Sequence, residues 1–205
     1  MICLSMTNTI NPPIRFKFDV EKLVASLYFF ASKTKIDKLK AAKLLYYADK
    51  YHLTRYGKPI LGDVYFRLDY GPVPSLSLDI INEAISPYKL NIPQENLELL
   101  KTYLKIEKDK AHPTLEVKKQ HDLDVLSESE IEALQETVKQ YGKCSGPELI
   151  RLTHREPAWK KTEKNREIDY RLFFEGDKNA SPEALEYLES LREDMDLIFS
   201  LSSHA

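Results

Sequence analysis

Asp49 and His52 lie three residues apart in the stretch LLYYADKYHLTRYGKP, and their types and spacing could do chemistry. On a helix that spacing makes two side chains neighbours. A carboxylate and an imidazole so placed could pass a proton between them as an acid/base pair. Such a pair needs a nucleophile, a metal or an activated water to serve. The chain carries no GxSxG elbow, no glycine-rich phosphate loop, no HExxH and no CxxC. His52, His112, His121, His154 and His204 show no spacing that would gather metal ligands on one face. Cys144 precedes Ser145, Glu148 and Leu149, and there it reads as the small apolar half of a hydrophobic staple. The residues thus imply no metal and no cofactor. Without a nucleophile beside the pair, the structural reading of Asp49 is the stronger one. A buried carboxylate must be paired, and a tyrosine hydroxyl or an arginine held by Asp49 would lock the loop running from Gly57 to Pro74.

The elements that position these groups follow from periodicity. From Leu39 to Tyr56 the apolar residues form two adjoining stripes, one of Ala41, Leu44, Leu45, Ala48 and His52, the other of Leu39, Ala42, Tyr46, Asp49, Leu53 and Tyr56. Lys40, Lys43, Lys50 and Thr54 mark the polar side. A helix with so wide an apolar girth is central, with partners on two sides. Asp19 caps a preceding helix with Leu23, Leu27 and Phe30 inward, giving an α-hairpin. Gly57 and Pro59 end the central helix. Val64 to Leu68 alternates as a short strand, Gly71 to Pro74 reads as a rigid kink, and a helix follows from about Pro74 to Ile85. Pro87 to Asn96 is loop-like. Leu100–Ile106 and Thr114–Val117 read as a β-hairpin. Capping boxes at Ser127/Glu130 and Ser145/Glu148 start two helices, and Pro157 stops the second, with Trp159 expected to pack back on the body. Ser181 and Pro182 open a separate C-terminal helix with Ala184, Leu188, Leu191, Met195 and Ile198 on one face and acids on the other.

The fold class expected is α+β, mainly α: a central buried helix in a helical body with a small antiparallel sheet or hairpin. The boundaries drawn are a flexible N-terminal tail at 1–17, a domain at 18–175 and an acidic C-terminal helix at 176–205. Composition fits a soluble globular chain of 205 residues, with 42% hydrophobic and 30% charged residues. The net charge of -2 hides a basic segment from Lys33 to Lys58 and an acidic one after Phe174. The basic segment invites a DNA-binding reading, but a recognition helix needs an exposed face able to read base edges, and this helix exposes little beyond lysines. Nucleic acid is therefore not the expected partner. Two cysteines, no apolar run near ~18 residues and a start without signal-peptide character point to a cytoplasmic protein with no membrane contact.

Four ordered blocks, LLYYADKYHLTRYGKPILGDVYF, YGPVPS, LSESEIEAL and YGKCSGPELIRLTHREPAW, resemble the Panacea domain, the SocA-like family of bacterial and phage antitoxins. The matching positions are Tyr47, Asp49 and His52 in the helix, Tyr56, Gly57 and Pro59 at its end, and the Gly62-Asp63 pair. Gly71, Pro72 and Pro74 follow, then Thr153, His154 and Trp159. The resemblance runs from about residue 20 to about residue 160. It implies a non-enzymatic protein that binds and neutralises a cognate toxin; delivery of that toxin to a protease is also associated with the family. Tyrosine and arginine make good interface anchors, so Arg55, Tyr65, Arg67 and Tyr70 are candidate toxin-binding residues. Glu186, Glu189 and Glu193 join them as an acidic face expected to cover a basic, RNA-contacting toxin surface. The ordinary alternatives are core packing for the tyrosines and a solvated face for the acids.

Overall fold

The computed structural model describes residues 13–86, 90–107 and 112–202, with side chains as far as residue 192. Asp19 caps α1 (Val20–Lys33) by accepting from the Lys22 amide at 3.0 Å, and Asp37 caps α2 (Lys38–Tyr56) by accepting from the Lys40 amide at 2.8 Å. Gly57 ends α2 in the left-handed region at φ +77°, where a side chain would be strained and a Cβ would stand 2.6 Å from the Tyr187 ring. Two apolar cores lie on opposite sides of α2. Ala41, Leu44, Leu45 and Ala48 belong to one, and Tyr46, Tyr47 and Leu53 to the other. The expected fold class, α+β and mainly α with a small antiparallel sheet, is the one observed.

The first core is closed by α1, α3 (Ser75–Ile85), α4 (Gln94–Tyr103), α5 (Glu128–Tyr141) and a three-stranded sheet. That sheet has the order β1 (Ile36–Asp37), β5 (Thr114–Val117), β4 (Leu104–Glu107), antiparallel throughout. It differs from the expected hairpin in two ways. The run from Leu100 is still helix and becomes strand only at Leu104, because Leu97 and Leu100 bury one face at a helical step. In addition, the two-residue β1 joins the edge, too short to leave a periodic signal.

The second core holds Ile14, Tyr65, Leu149, Ala158, Tyr170, Phe173, Ala184 and Leu188. Gly71–Pro74 is not a kink but β3, paired antiparallel with β2 (Tyr65–Leu68) across a two-residue turn. The ladder tolerates both prolines through its register. Pro72 and Pro74 face Arg67 and Tyr65, whose backbone groups bond outward to residues 165–168, so no ladder donor is missed. The buried residue of β2 is Tyr65, on the face opposite Phe66 and Leu68.

Pro157 does not simply stop the preceding helix α6 (Gly146–Thr153). It opens a short α7 (Pro157–Lys161), in the first-turn position where a missing N–H costs nothing. A 3-10 turn at Tyr170–Phe173 follows. α8 (Pro182–Ser202) begins at Ser181 as expected, the hydroxyl accepting from the Ala184 amide at 3.1 Å, but it is not a separate appendage. Ala184 and Leu188 are buried in the second core, and the Ser181 amide bonds the Thr54 carbonyl. The expected stripe residues Met195 and Ile198 have side chains outside the described residues. At the other end, residues 1–12 are not described, and the expected tail boundary at 17 is too late. Ile14 is 2% exposed and Phe16 meets Tyr170 edge-on.

The largest correction concerns the polar side of α2. Lys43 is 1% exposed and Thr54 0%, while Lys40 donates to the Gly142 carbonyl at 2.6 Å and Lys50 pairs with Glu156. Second-layer elements α6, β3 and α8 cover the face that lysine content marked as solvent-facing. The Lys43 ammonium donates to the Pro72 carbonyl at 2.7 Å, which ties the β2–β3 hairpin down on α2. Burial holds its pKa down to about 7. An unfolded chain keeps that proton up to about 10.4. Between the two values the native state binds fewer protons than the unfolded one, so native stability rises with pH across this window. Chemical denaturation at about pH 7 and about pH 9.5 should therefore show a rise in the wild type that is flattened in K43M. Equal slopes in both proteins would mean that Lys43 stays charged in the fold.

Candidate functional site

The polar residues that the sequence singles out converge on the turn between α2 and α3. The Asp49 carboxyl is 1% exposed and receives three hydrogen bonds: from the amides of Ile60 and Leu61 at 2.9 and 3.0 Å, and from the Tyr65 hydroxyl at 2.9 Å. The tyrosine hydroxyl sought for Asp49 is thus that of Tyr65. Burial pushes this carboxyl up to about 7, against the pull of those donors. Fourteen residues further along the chain, Asp63 does a parallel job. It accepts from the amides of Val64, Leu76 and Ser77 and from the Ser77 hydroxyl at 2.5 Å, and its pKa is raised by burial. α3 follows Pro74, which offers no side-chain cap, so Asp63 supplies the missing acceptor for that helix start from across the hairpin. The Tyr170 hydroxyl closes the arrangement on the Asp63 carbonyl at 2.5 Å.

His52 does not meet Asp49. Its Nδ1 lies 2.7 Å from the Lys58 carbonyl and its Nε2 3.1 Å from Ser129 Oγ, in a fully buried position where desolvation lowers its pKa. The imidazole thus ties the Gly57–Pro59 turn, in which Pro59 is buried, to the start of α5. An acid/base pair is not assembled, and each member is committed to holding a different stretch of backbone.

Thr153, His154 and Trp159 form the latch on the hairpin. Trp159 Nε1 donates to the Leu68 carbonyl at 2.9 Å, its ring stacks on His154 at 4.0 Å, and the Arg67 guanidinium lies 4.3 Å from its centroid. Gly71, at φ +101°, presses on Thr153: a Cβ there would come within 2.5 Å of the Thr153 hydroxyl and 2.9 Å of Lys43 Nζ. Tyr47 stacks on Tyr141 at 3.9 Å, and Tyr56 covers the His52 ring at 4.8 Å. Gly62 turns at φ +66° against the backbone of Lys17.

The candidate toxin-binding residues divide sharply. Tyr65 is 1% exposed and spends its hydroxyl on Asp49, so its place on a partner-facing surface is withdrawn. Tyr70, at the hairpin tip, is 67% exposed. Arg67 is half-buried against Trp159, and Arg55 lies 3.6 Å over the Tyr51 ring and 3.6 Å from Asp177. Glu186 and Glu189 are exposed on α8; the Glu193 side chain lies outside the described residues. Sequence reasoning missed Lys43 as a tie of the hairpin. The available signal was its place one turn before Tyr47 and two before Lys50, a third stripe with an aromatic in its middle. Among the described residues no group of three or more His, Cys, Asp and Glu is placed to hold a metal ion, and no helix is long and apolar enough to cross a membrane.

A family model described as antitoxin SocA-like, Panacea domain, matches residues 42–160, more than half of the chain. The match begins inside α2 and ends in α7, so α1 lies outside it, although the sequence resemblance starts nearer residue 20. Comparison with curated proteins and with solved structures found no match.

Removing the Asp49 carboxylate leaves two buried amides and a phenol without an acceptor. At about 1–3 kcal/mol for each unsatisfied group, D49A should lose about 3 kcal/mol or more, whereas Y65F, which deletes one donor only, should lose about 1 kcal/mol. Urea denaturation of the two variants and their combination checks this. D49A and Y65F losses of equal size would locate the lock elsewhere. Because a native pKa near 7 lies above the unfolded value, wild-type stability should fall as pH rises from about 4 to about 7, a slope that D49N should lack.

Proposed function

We propose that this chain, which belongs to the antitoxin SocA-like family through its Panacea domain, neutralises a cognate protein toxin by binding it directly. The observation that carries the reading is the commitment of its would-be catalytic groups. Asp49 and His52 are buried and bonded to the backbone they hold, which supports a binding protein that works by shape rather than by turnover. In this reading the protein acts in the cytoplasm, needs no cofactor and meets neither membrane nor nucleic acid.

A stable protein complex needs about 800 Å² on each partner. Two surfaces qualify as parts of such an area. One is the hairpin tip, where Tyr70 and Leu68 are exposed. The other is the outer face of α8, where Glu183, Glu186 and Glu189 stand in solvent while Ala184 and Leu188 fix the helix to the body. A rigidly docked acidic face offers a preorganised field to a basic partner, which speeds and orients encounter. A toxin that acts on RNA would present such a basic surface.

The DNA-binding alternative loses much of its material. Of the basic residues from Lys33 to Lys58, Lys40, Lys43, Lys50 and Arg55 are at least half-buried and engaged within the fold. Phosphate contacts need exposed, mobile cations. Delivery of the toxin to a protease would use the same direct contact and would show as falling toxin levels.

Reversing Glu186, Glu189 and Glu193 to lysine should abolish rescue of cells that express the product of the adjacent reading frame, with the melting temperature of the variant unchanged. Undiminished rescue by the triple variant would reject the acidic face. Steeply salt-sensitive binding of a DNA duplex by the wild type would instead favour the regulator.

A further inference from the structure

We propose that the outer part of the β2–β3 hairpin, residues 66–73, is a flap that proton uptake by Lys43 frees from α2. The inference goes beyond the toxin-binding reading and does not depend on it.

The hairpin is held unevenly along its length. At its base the Tyr65 hydroxyl bonds the buried Asp49 carboxyl at 2.9 Å, and the Ser75 amide bonds the Val64 carbonyl at 2.9 Å. Nearer the tip the ties are single hydrogen bonds to neighbouring elements. Lys43 Nζ reaches the Pro72 carbonyl at 2.7 Å and Trp159 Nε1 the Leu68 carbonyl at 2.9 Å. The Arg67 amide donates to the Arg166 carbonyl and its carbonyl accepts from the Asn165 amide, both at 2.9 Å. A pinned base with separable contacts beyond it is the geometry of local opening, in which a few contiguous residues leave the fold as a unit.

Of these ties, the one from Lys43 depends on protonation. The side chain is 1% exposed, and its surroundings suit an amine better than an ammonium. An ammonium carries three donors, and among the described residues the hydrogen bond of Nζ goes to the Pro72 carbonyl. The hairpin backbone lies against the nitrogen, since a Cβ on Gly71 would stand 2.9 Å from it. β3 brings Gly71, Pro72, Val73 and Pro74, none of them titratable. α6 brings the Thr153 hydroxyl, donated to the Leu149 carbonyl, while Glu148 is bonded to Ser145, Arg151 is exposed and the His154 ring lies on Trp159. One turn away on α2 stand Lys40, bonded to Gly142, and the phenols of Tyr46 and Tyr47; Lys50, further on, is paired with Glu156. Burial alone accounts for the lowered pKa of Lys43, with no neighbouring charge to offset it. A charge formed there regains solvation only where its cover moves. β3, with its separable ties, is the part of that cover able to do so. The tip it carries exposes Tyr70 and Leu68, so proton uptake at Lys43 sets how firmly that surface is presented.

Hydrogen exchange of the whole chain, followed residue by residue from about pH 7 to about pH 9, tests this. Opening takes up one proton at a group whose pKa is about 7 when covered and about 10.4 when free, so the open fraction should be about fiftyfold larger at the lower pH. Intrinsic amide exchange rises with hydroxide over the same range, and the two trends nearly cancel. The Arg67 and Asn165 amides should therefore exchange at almost constant rates, and faster than the Leu45 amide of the first core. The Lys118 amide, bonded to the Tyr103 carbonyl, should speed up in proportion to hydroxide. In K43Q, which can still donate to Pro72 but does not titrate, and in K43M, the Arg67 and Asn165 amides should follow hydroxide too. Wild-type rates at Arg67 and Asn165 that climb with hydroxide overturn the proposal. Exchange there as slow as at Leu45 also overturns it, because the hairpin would then leave only with the whole fold. Constant rates that persist in either folded variant assign the proton to another group and overturn it as well.

Discussion

A carboxylate taken out of water is tolerated only where donors replace the water, and that requirement organises this fold. Asp49 is positioned by α2, yet every group it satisfies lies beyond the helix, in the turn at Ile60 and Leu61 and on β2 at Tyr65. One buried charge therefore dictates where the chain goes over the next stretch of sequence. Asp63 then extends the logic to α3, whose first amides it receives. The two acids are both buried, and the charge of one bears on the other. Asp63 is among the causes that push Asp49 upward. Such an arrangement specifies a conformation at the expense of stability, since an apolar substitute of similar shape is often neutral or better.

Polar ties hold the resulting hairpin at three places. Lys43 bonds the Pro72 carbonyl from below, Trp159 the Leu68 carbonyl from the side, and residues 165–168 the outer edge of β2. Gly71 allows the closest approach, to Thr153. Gly62-Asp63, Gly71 to Pro74 and Thr153 to Trp159, distant in sequence, meet as the parts of one joint.

Periodicity and capping chemistry made much of this legible. Ser127 with Glu130 is a full capping box, and Ser145 with Glu148 gives the second helix start, both at positions where residue type alone predicts them. The breadth of the apolar girth marked α2 as central. What was illegible depended on the second layer. Residue type alone assigns a lysine such as Lys43 to solvent; only the later arrival of β3 and α6 over it reverses that. Proline content similarly argued against a strand at Gly71–Pro74, because the local sequence does not say that the donorless nitrogens of Pro72 and Pro74 face away from the partner strand. Tyr65 failed as a surface candidate for the same reason that Asp49 succeeded as a lock. Each needed the other, and the spacing of 16 residues between them has no period.

The division of labour between the two faces of α2 bears on function. Toward the first core α2 offers alanine and leucine, and packing there is ordinary. Toward the second it offers Tyr46, Tyr47, Lys43 and Lys50, a face of phenols and amines that apolar burial alone cannot account for. Hairpin, latch and acidic helix all gather on this second side. Stability by itself would be served better by more leucine. A polar, exactingly satisfied half beside a plain one is a departure from what stability alone selects, of the kind that proteins compensate for elsewhere in the fold.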